Sequence, residues 1–317
     1  MDTVLVLTNI ALSHDSQLSE AYTIRGLYYS AINDPEQAIH EFDKAIKFNP
    51  NDWISYLEKG KLYRDYDLVQ SLDNYYRAAN LNRGQGLSVI LRSISEVYRL
   101  AGITDMFINF AQQALVLDGD SIEYYTSLAM SFLDVRNFET STEFLKKAYA
   151  LDSNKVSVIN QLGENYLVLD KPKESLRYFE RFIEIEGFFP NGIHRIGYAY
   201  WQNGYREEAN YYFDKQIKYG LGEIELGRRW AGLYFTYYDL ALVYTFRGEK
   251  DKAIENLRIF NQRKKMPLWM AALIKDDPMF NSIRDEPEFQ QIVRDVETKY
   301  QAENERVRKW LEENDML

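Results

Sequence analysis

The chain has 317 residues, and its 38 lysines and arginines against 48 aspartates and glutamates give a net charge of −10 at pH 7; this charge disfavours nonspecific binding to nucleic acid, because phosphate groups would be repelled. A hydrophobic content of 46% suffices for a folded core and excludes a wholly disordered chain. The absence of cysteine excludes disulfide bonds and thiolate metal ligands, and the longest uncharged run, Thr3 to His14, is 12 residues and too short for a membrane-spanning helix.

Residues 1–18 are predicted to form one helix that has no partner helix before it. Ala11 stands where Ala45 stands in the first complete repeat, so this segment corresponds to the second helix of a repeat. Two interpretations are open: a natural N-terminal cap, or a half-repeat whose first helix belongs to a longer parent chain. We favour the second, because a cap normally has a polar outer face and the run Val4–Leu7 is wholly apolar.

Residues 19–265 carry a pattern that repeats about every 34 residues. A small residue recurs at seven positions: Gly26, Gly60, Ser95, Ala129, Gly163, Gly197 and Ala241. An aromatic residue follows each of them after three residues: Tyr29, Tyr63, Tyr98, Phe132, Tyr166, Tyr200 and Tyr244. The regularity predicts that these aromatics pack between paired helices and have no catalytic role.

The first of these repeats resembles the tetratricopeptide repeat family, whose pattern is Trp-x2-Leu-Gly-x2-Tyr, then Ala-x3-Phe and a closing Pro. The residues that carry the resemblance are Tyr22, Gly26, Tyr29, Ala38, Phe42 and Pro50. The third repeat departs most, with Ser95 for Gly and Ala111 for Phe. The resemblance implies an all-α fold, a right-handed superhelical solenoid of seven helix pairs with a long C-terminal capping helix.

The interval between the small residues Gly197 and Ala241 is 44 residues, which indicates an insertion of ten near residues 220–229. An insertion of this kind forms a loop or lengthens a helix. Either outcome leaves the repeat pattern on both sides intact.

Residues 266–317 are predicted to be a helical cap. An apolar stripe with helical spacing runs along its last part: Phe289, Ile292, Val293, Val296, Tyr300, Val307, Trp310 and Leu311. We expect this tail to cap the last repeat, with its far end projecting and available for a homodimer. The sequence of residues 276–293 resembles the C-termini of bacterial multi-domain transcription regulators and signalling proteins.

The resemblance also implies a binding surface. In tetratricopeptide arrays the second, fifth, ninth and twelfth positions of each first helix line the concave side, which we call the inner face. In this chain those positions include Lys61, Arg64, Arg92, Glu96, Arg99, Asn160, His194, Tyr198, Trp201 and Tyr238. The arginines suit an acidic protein or peptide, and the aromatics suit an interface.

Structural alternatives for these residues remain open. The cations of the second and third repeats could instead pair with Glu58, Asp65 and Glu96, and Phe235 and Leu242 could pack against the insertion or the tail. The three histidines lie far apart, and no motif for a nucleophile, a phosphate or a metal is present. We therefore expect no catalytic residue, no cofactor and no metal site.

Two functions fit this pattern. The favoured one is a non-enzymatic module that binds a protein or peptide, as the sensor or assembly region of a larger bacterial transcription regulator. The alternative is a stand-alone scaffold or peptide-binding adaptor. Neither requires direct nucleic-acid binding or a membrane span in this chain, and the location is expected to be cytoplasmic, or periplasmic if a membrane segment precedes the array in the parent.

Overall fold

The computed structural model describes residues 2–316 apart from 83, 85, 188–191 and 228–230, and it does not describe the side chains of residues 2 and 231–234. All regular structure in the described residues is helical, which confirms the all-α prediction. The α-helices are α1 (Asp2–His14), α2 (Ser19–Ala31), α3 (Pro35–Phe48), α4 (Trp53–Tyr63), α5 (Leu68–Leu81), α6 (Leu87–Ala101), α7 (Thr104–Asp118), α8 (Ser121–Asp134), α9 (Phe138–Leu151), α10 (Val156–Val168), α11 (Pro172–Glu186), α12 (Ile193–Gln202), α13 (Arg206–Glu225), α14 (Ala231–Phe246), α15 (Lys250–Phe260), α16 (Leu268–Asp276) and α17 (Pro287–Glu313). A short 3-10 helix, Pro278–Phe280, lies between the last two.

After α1, the helices pack as consecutive pairs, each with a first helix and a second helix. The first helices are α2, α4, α6, α8, α10, α12 and α14. Where the small residue of a first helix is glycine (Gly26, Gly60, Gly163 and Gly197), it lies under an aromatic ring of the second helix. A Cβ atom on Gly60 would lie 2.4 Å from the ring of Tyr75, and one on Gly163 would lie 2.7 Å from Phe179. Only a residue without a side chain allows this approach, which explains the repeated glycine.

In four repeats the recurring aromatic of the first helix stacks on an aromatic residue twelve positions later, in the second helix of its own repeat. The pairs are Tyr98–Phe110, Phe132–Phe144, Tyr166–Tyr178 and Tyr200–Tyr212, with ring centroids 5.4–5.6 Å apart. Their interplanar angles of 8–22° are those of stacked rings. In these repeats the aromatic therefore joins the two helices of one repeat.

The turn between the two helices of a repeat has its own recurring feature. Seven positions after the small residue, six of the seven repeats have a residue with a positive φ angle: Asn33, Gly102, Arg136, Asp170, Gly204 and Gly248. Glycine adopts this left-handed conformation without strain, and asparagine and aspartate do so more readily than other residues. The second helix then often begins with a side-chain cap, as where Asp34 accepts a hydrogen bond from the Gln37 amide at 3.2 Å.

The insertion lengthens a helix. Helix α13 runs for 20 residues to Glu225, whereas the other second helices have 11–15. Residues 228–230, where the insertion was predicted to end, lie outside the described residues. Gly220 lies on the added part, where a Cβ would be 2.9 Å from Leu240.

The chain divides into two compact units, Met1–Gly119 with Glu303–Leu317, and Asp120–Ala302. We call them the first and the second unit. The first unit contains α1 to α7 and the last turns of α17, and the second contains α8 to α16 and the first turns of α17. This division was not predicted, because the repeat pattern does not indicate that residues 303–317 belong with the first repeats.

The last turns of α17 pack on the second and third repeats of the first unit, so the expectation that the far end of the tail projects is wrong. Glu303 accepts a hydrogen bond from the backbone amide of Leu68 at 3.2 Å. Arg306 forms an ion pair with Asp67 at 2.6 Å. Val307 and Leu311 are fully buried. The apolar stripe thus has its partner within the same chain.

Candidate functional site

The inner face of the first unit carries cations that already have acidic neighbours. Lys61 lies 2.7 Å from Glu58, and Arg64 lies 4.0 Å from Asp65. The side chains of Lys61 and Arg64 are 43% and 40% exposed, so both remain accessible to a partner. Salt bridges with this exposure hold their partners weakly, by about 0–1 kcal/mol.

The next two arginines of this face are held more firmly. Arg92 pairs with Asp118 at 2.6 Å. Arg99 is 6% exposed and pairs with Glu96 at 2.7 Å. The structural alternative, in which the cations pair with Glu58, Asp65 and Glu96, therefore describes Lys61, Arg64 and Arg99. Arg92 pairs with Asp118 instead, and Lys61 and Arg64 keep the most exposed side chains of the four.

In the second unit three of the predicted binding residues are buried, and the chain's own tail contacts one of them. His194, Tyr198 and Tyr238 are 2%, 7% and 3% exposed. Phe280 packs edge to face on Tyr238 with ring centroids 5.4 Å apart. The structure thus buries three predicted inner-face residues, and it places a segment that was predicted only as a cap directly against Tyr238.

The register assigns three further residues of the second unit to the inner face: Phe235, Leu242 and Trp201. Phe235 stacks on Trp269 of the tail at 5.3 Å, and Leu242 is fully buried, as the packing alternative anticipated. Trp201 is half-buried, with Phe246 at 5.0 Å from its ring and the guanidinium of Arg206 at 3.6 Å. Trp201 is therefore more accessible than Tyr198 and Tyr238, which are buried.

An ion pair fixes the tail to this face. The guanidinium of Arg195 on α12 hydrogen-bonds the carboxylate of Asp277, which is fully buried. The other carboxylate oxygen of Asp277 accepts a hydrogen bond from the backbone amide of Met279 at 3.0 Å. The backbone carbonyl of Asp277 accepts a hydrogen bond from Arg284 at 2.7 Å. Asp277 is therefore bound through both its side chain and its backbone.

Two more carboxyl groups surround Arg195. Burial raises the pKa of Asp239 to about 7; Arg195 opposes this shift, and Glu164 and Asp277 add to it. Burial also raises the pKa of Glu164, to which Asn160 donates a hydrogen bond at 2.9 Å. One arginine is thus shared among three carboxyl groups, an arrangement that favours keeping one of them protonated.

His194 completes this group of side chains without contributing charge. Burial, together with the nearby Arg195, lowers the pKa of His194 to about 3, so the ring is neutral near pH 7. Its Nδ1 lies 3.3 Å from the side-chain oxygen of Gln216, and its Nε2 lies 3.9 Å from Asp239. We call Glu164, His194, Arg195, Asp239 and Asp277 the polar cluster.

Sequence reasoning missed the charged half of this cluster. Arg195 and Asp239 each follow a predicted residue by one position, since they come after His194 and Tyr238. Both occupy the sixth position of a first helix, and the repeat register could have identified that position as a second row of residues on the same face. No signal in the repeat pattern identified Asp277, because it lies outside the array.

The polar cluster gives a pH-dependent prediction. Because the folded state raises the pKa of Asp239 above its usual value near 3.9, its protonated form stabilises folding below that value, and this stabilisation is lost as the pH rises to about 7. We expect Asp239→Asn to remove part of this dependence. Between pH 5 and pH 7 the free energy of unfolding of the unsubstituted chain should fall by about 2 kcal/mol relative to that of Asp239→Asn.

Denaturant titrations of both proteins at pH 5, 6, 7 and 8 measure this difference. Asp214→Asn is the matched control, because Asp214 is 71% exposed beside Arg247. Parallel pH profiles for the unsubstituted chain and Asp239→Asn would contradict the prediction.

The described residues contain no group of three or more His, Cys, Asp or Glu side chains arranged for a metal ion. No described helix has both the length and the apolar character needed to cross a membrane. Within the polar cluster, the ion pair between Arg195 and Asp277 holds a segment of the tail against α12.

Comparison with known proteins agrees with this architecture. A family model described as tetratricopeptide repeat matches residues 19–52. The solved structure of a tetratricopeptide repeat protein from Parabacteroides merdae aligns with 87% of this chain and 98% of its own, with a TM-score of 0.55 and 12% identity. PilW, titled a widely conserved type IV pilus biogenesis factor, aligns with 63% of this chain and 92% of its own, with a TM-score of 0.53 and 14% identity.

One curated relative is an enzyme by name. The Hordeum vulgare protein "Probable UDP-N-acetylglucosamine--peptide N-acetylglucosaminyltransferase SPINDLY" is 25% identical over 154 residues, which cover 45% of this chain. The match spans 16% of the barley protein's own length. The likeness is therefore to a part of that protein.

Proposed function

Because the chain is a tetratricopeptide repeat protein, we propose that it is a non-enzymatic module that binds a protein or peptide on its inner face. The observation that carries the proposal is that this face already holds polypeptide: Asp277 and Phe280 of the tail lie on Arg195 and Tyr238 of the first helices. The name of the barley transferase gives no support for an activity here, because the matched region is 16% of that protein.

Two biological settings suit such a module. The first is the sensor or assembly region of a larger bacterial transcription regulator, and it rests on the resemblance of residues 276–293 alone. The second is a stand-alone scaffold or adaptor. The genomic reading frame upstream of residue 1 discriminates between them, since a fused DNA-binding domain supports the first and its absence supports the second.

We propose an acidic partner for the first unit and an aromatic anchor for the second. Lys61 and Arg64 are the accessible cations of the inner face, and charge-assisted hydrogen bonds would attract carboxylates there. Trp201 offers a half-buried ring beside Arg206. Arginine and tryptophan are among the residues that contribute most at interfaces. A homodimer through α17 would have to use a surface other than the buried Val307 and Leu311.

The test begins with recovery of the partner from the source cell by the full chain, followed by titration of that partner. Lys61→Ala with Arg64→Ala should weaken binding most at low salt, because salt screens exposed charges. Trp201→Ala should weaken binding at every salt concentration, by about 2 kcal/mol if the ring is an anchor.

Arg181→Ala is the matched control. Arg181 is 45% exposed on a second helix and pairs with Glu184, so its loss should leave binding unchanged. If the cation variant and the tryptophan variant both bind like the unsubstituted chain, the inner face is not the site.

A further inference from the structure

The segment Asp277–Phe280, which we call the tail segment, has the features of a bound peptide, and this inference rests on the proposed function. We propose that the inner face of the second unit is a site for a peptide in which an acidic residue is followed three positions later by an aromatic one, and that the tail segment fills this site as an internal ligand. A partner with the same chemistry would bind there in place of the tail segment.

The acidic anchor is the first support. The carboxylate of Asp277 is fully buried, and its cation is Arg195, a residue of a first helix. The same carboxylate accepts the Met279 amide at 3.0 Å and so begins the 3-10 helix Pro278–Phe280. The tail segment is thus a short, self-capped turn that presents side chains, as a peptide ligand does, and needs no extended backbone pairing.

The aromatic anchor is the second support. Phe280 is fully buried, and its ring lies 5.4 Å from that of Tyr238 on the first helix α14. Asp277 and Phe280 therefore contact α12 and α14, the first helices of successive repeats. Because the two anchors contact neighbouring first helices, a ligand of this site must have its acidic and aromatic side chains at the same spacing as Asp277 and Phe280.

The imbalance of the polar cluster is the third support. Arg195 faces Asp277, Glu164 and Asp239, so the internal ligand adds a carboxylate to a place that already holds two acids. The Nε2 atom of His194 is buried there without a hydrogen-bond partner. Burying a polar atom unpaired costs about 1–3 kcal/mol. With the tail segment in place, the polar cluster therefore keeps one polar atom that has no hydrogen-bond partner.

The experiment uses the full chain and a fluorescein-labelled synthetic peptide with the sequence of residues 274–285. In the unsubstituted chain the internal ligand occupies the site, so the peptide should bind weakly. In the variant Asp277→Ala with Phe280→Ala the site is emptied, and fluorescence anisotropy should show at least tenfold tighter binding. Adding Arg195→Met to that variant, or asparagine in place of the peptide's aspartate, should reverse the gain.

Asp285→Ala is the matched control, because Asp285 is exposed beyond the tail segment; it should leave peptide binding at the level of the unsubstituted chain. Circular dichroism and thermal melting accompany each variant. A folded double variant without affinity for the peptide would overturn the inference, and so would unfolding of that variant, since the tail segment would then be part of the core. The variants of Lys61, Arg64 and Trp201 test the proposed function separately. If a cellular partner depends on those residues, the proposed function holds even when the peptide experiment overturns this inference.

Discussion

Replacing Arg195 by alanine is expected to lower the free energy of unfolding by about 3–5 kcal/mol, as measured by denaturant titration of the full chain. The substitution leaves the carboxylate of Asp277 buried without its cation. Asp239 and Glu164 remain close by and add repulsion. Removing one partner of a buried pair costs far more than the pair contributes, because the remaining charge cannot reach water.

Two comparisons isolate the cause. Arg181→Ala removes an ion pair in which both side chains are exposed, and it should change stability by no more than about 1 kcal/mol. Arg195→Met combined with Asp277→Leu removes both charges of the buried pair and should recover much of the loss. An Arg195→Ala variant as stable as Arg181→Ala would show that the ion pair does not hold the tail.

Tyr166→Ala is expected to lower the free energy of unfolding by a similar amount, about 3–5 kcal/mol, as for other large aromatic truncations. Tyr166 is 7% exposed and stacks on Tyr178 at 5.5 Å. The ammonium group of Lys146 lies 5.7 Å from the centre of its ring. Truncation removes a contact between the two helices of the fifth repeat and leaves a cavity beside them.

Tyr166→Phe separates the ring from its hydroxyl group. It keeps the stack on Tyr178 and should cost about 1 kcal/mol or less, the net value of one hydrogen bond. Tyr205→Ala is a second control, because Tyr205 is 52% exposed. A denaturant midpoint for Tyr166→Ala that matches either control would show that the stack contributes little.

The repeat fold could be predicted from sequence because its determinants are local. The glycine at position 163 and the aromatic at 179 belong to adjacent helices, and their contact recurs with the period of the chain. The twelve-residue aromatic pairs of four repeats, such as Tyr200 with Tyr212, and the left-handed residue in six of the seven turns follow the same period. These two signals were present in the sequence and extend the pattern that the family resemblance uses.

The candidate site could be predicted only in part. The register predicted His194, Tyr198 and Tyr238 for one face of the second unit, and all three are buried. It gave no information on what covers that face, because the tail segment lies outside the array and has no periodic relation to it. Arg195 could have been found one position beyond His194, whereas its pairing with Asp277, 82 residues away, depends on the folded tail.

The contact between Glu303 and Leu68 joins residues separated by 235 positions. Repeat arrays otherwise fold from contacts between neighbours, which form early because little chain entropy opposes them. During synthesis, the second and third repeats emerge from the ribosome long before residues 303–316, at about 5–20 residues per second. The surface around Asp67 and Leu68 thus stays uncovered on the nascent chain for roughly ten seconds or more. This delay gives a chaperone or a partner a period of access that ends when the last helix closes the loop.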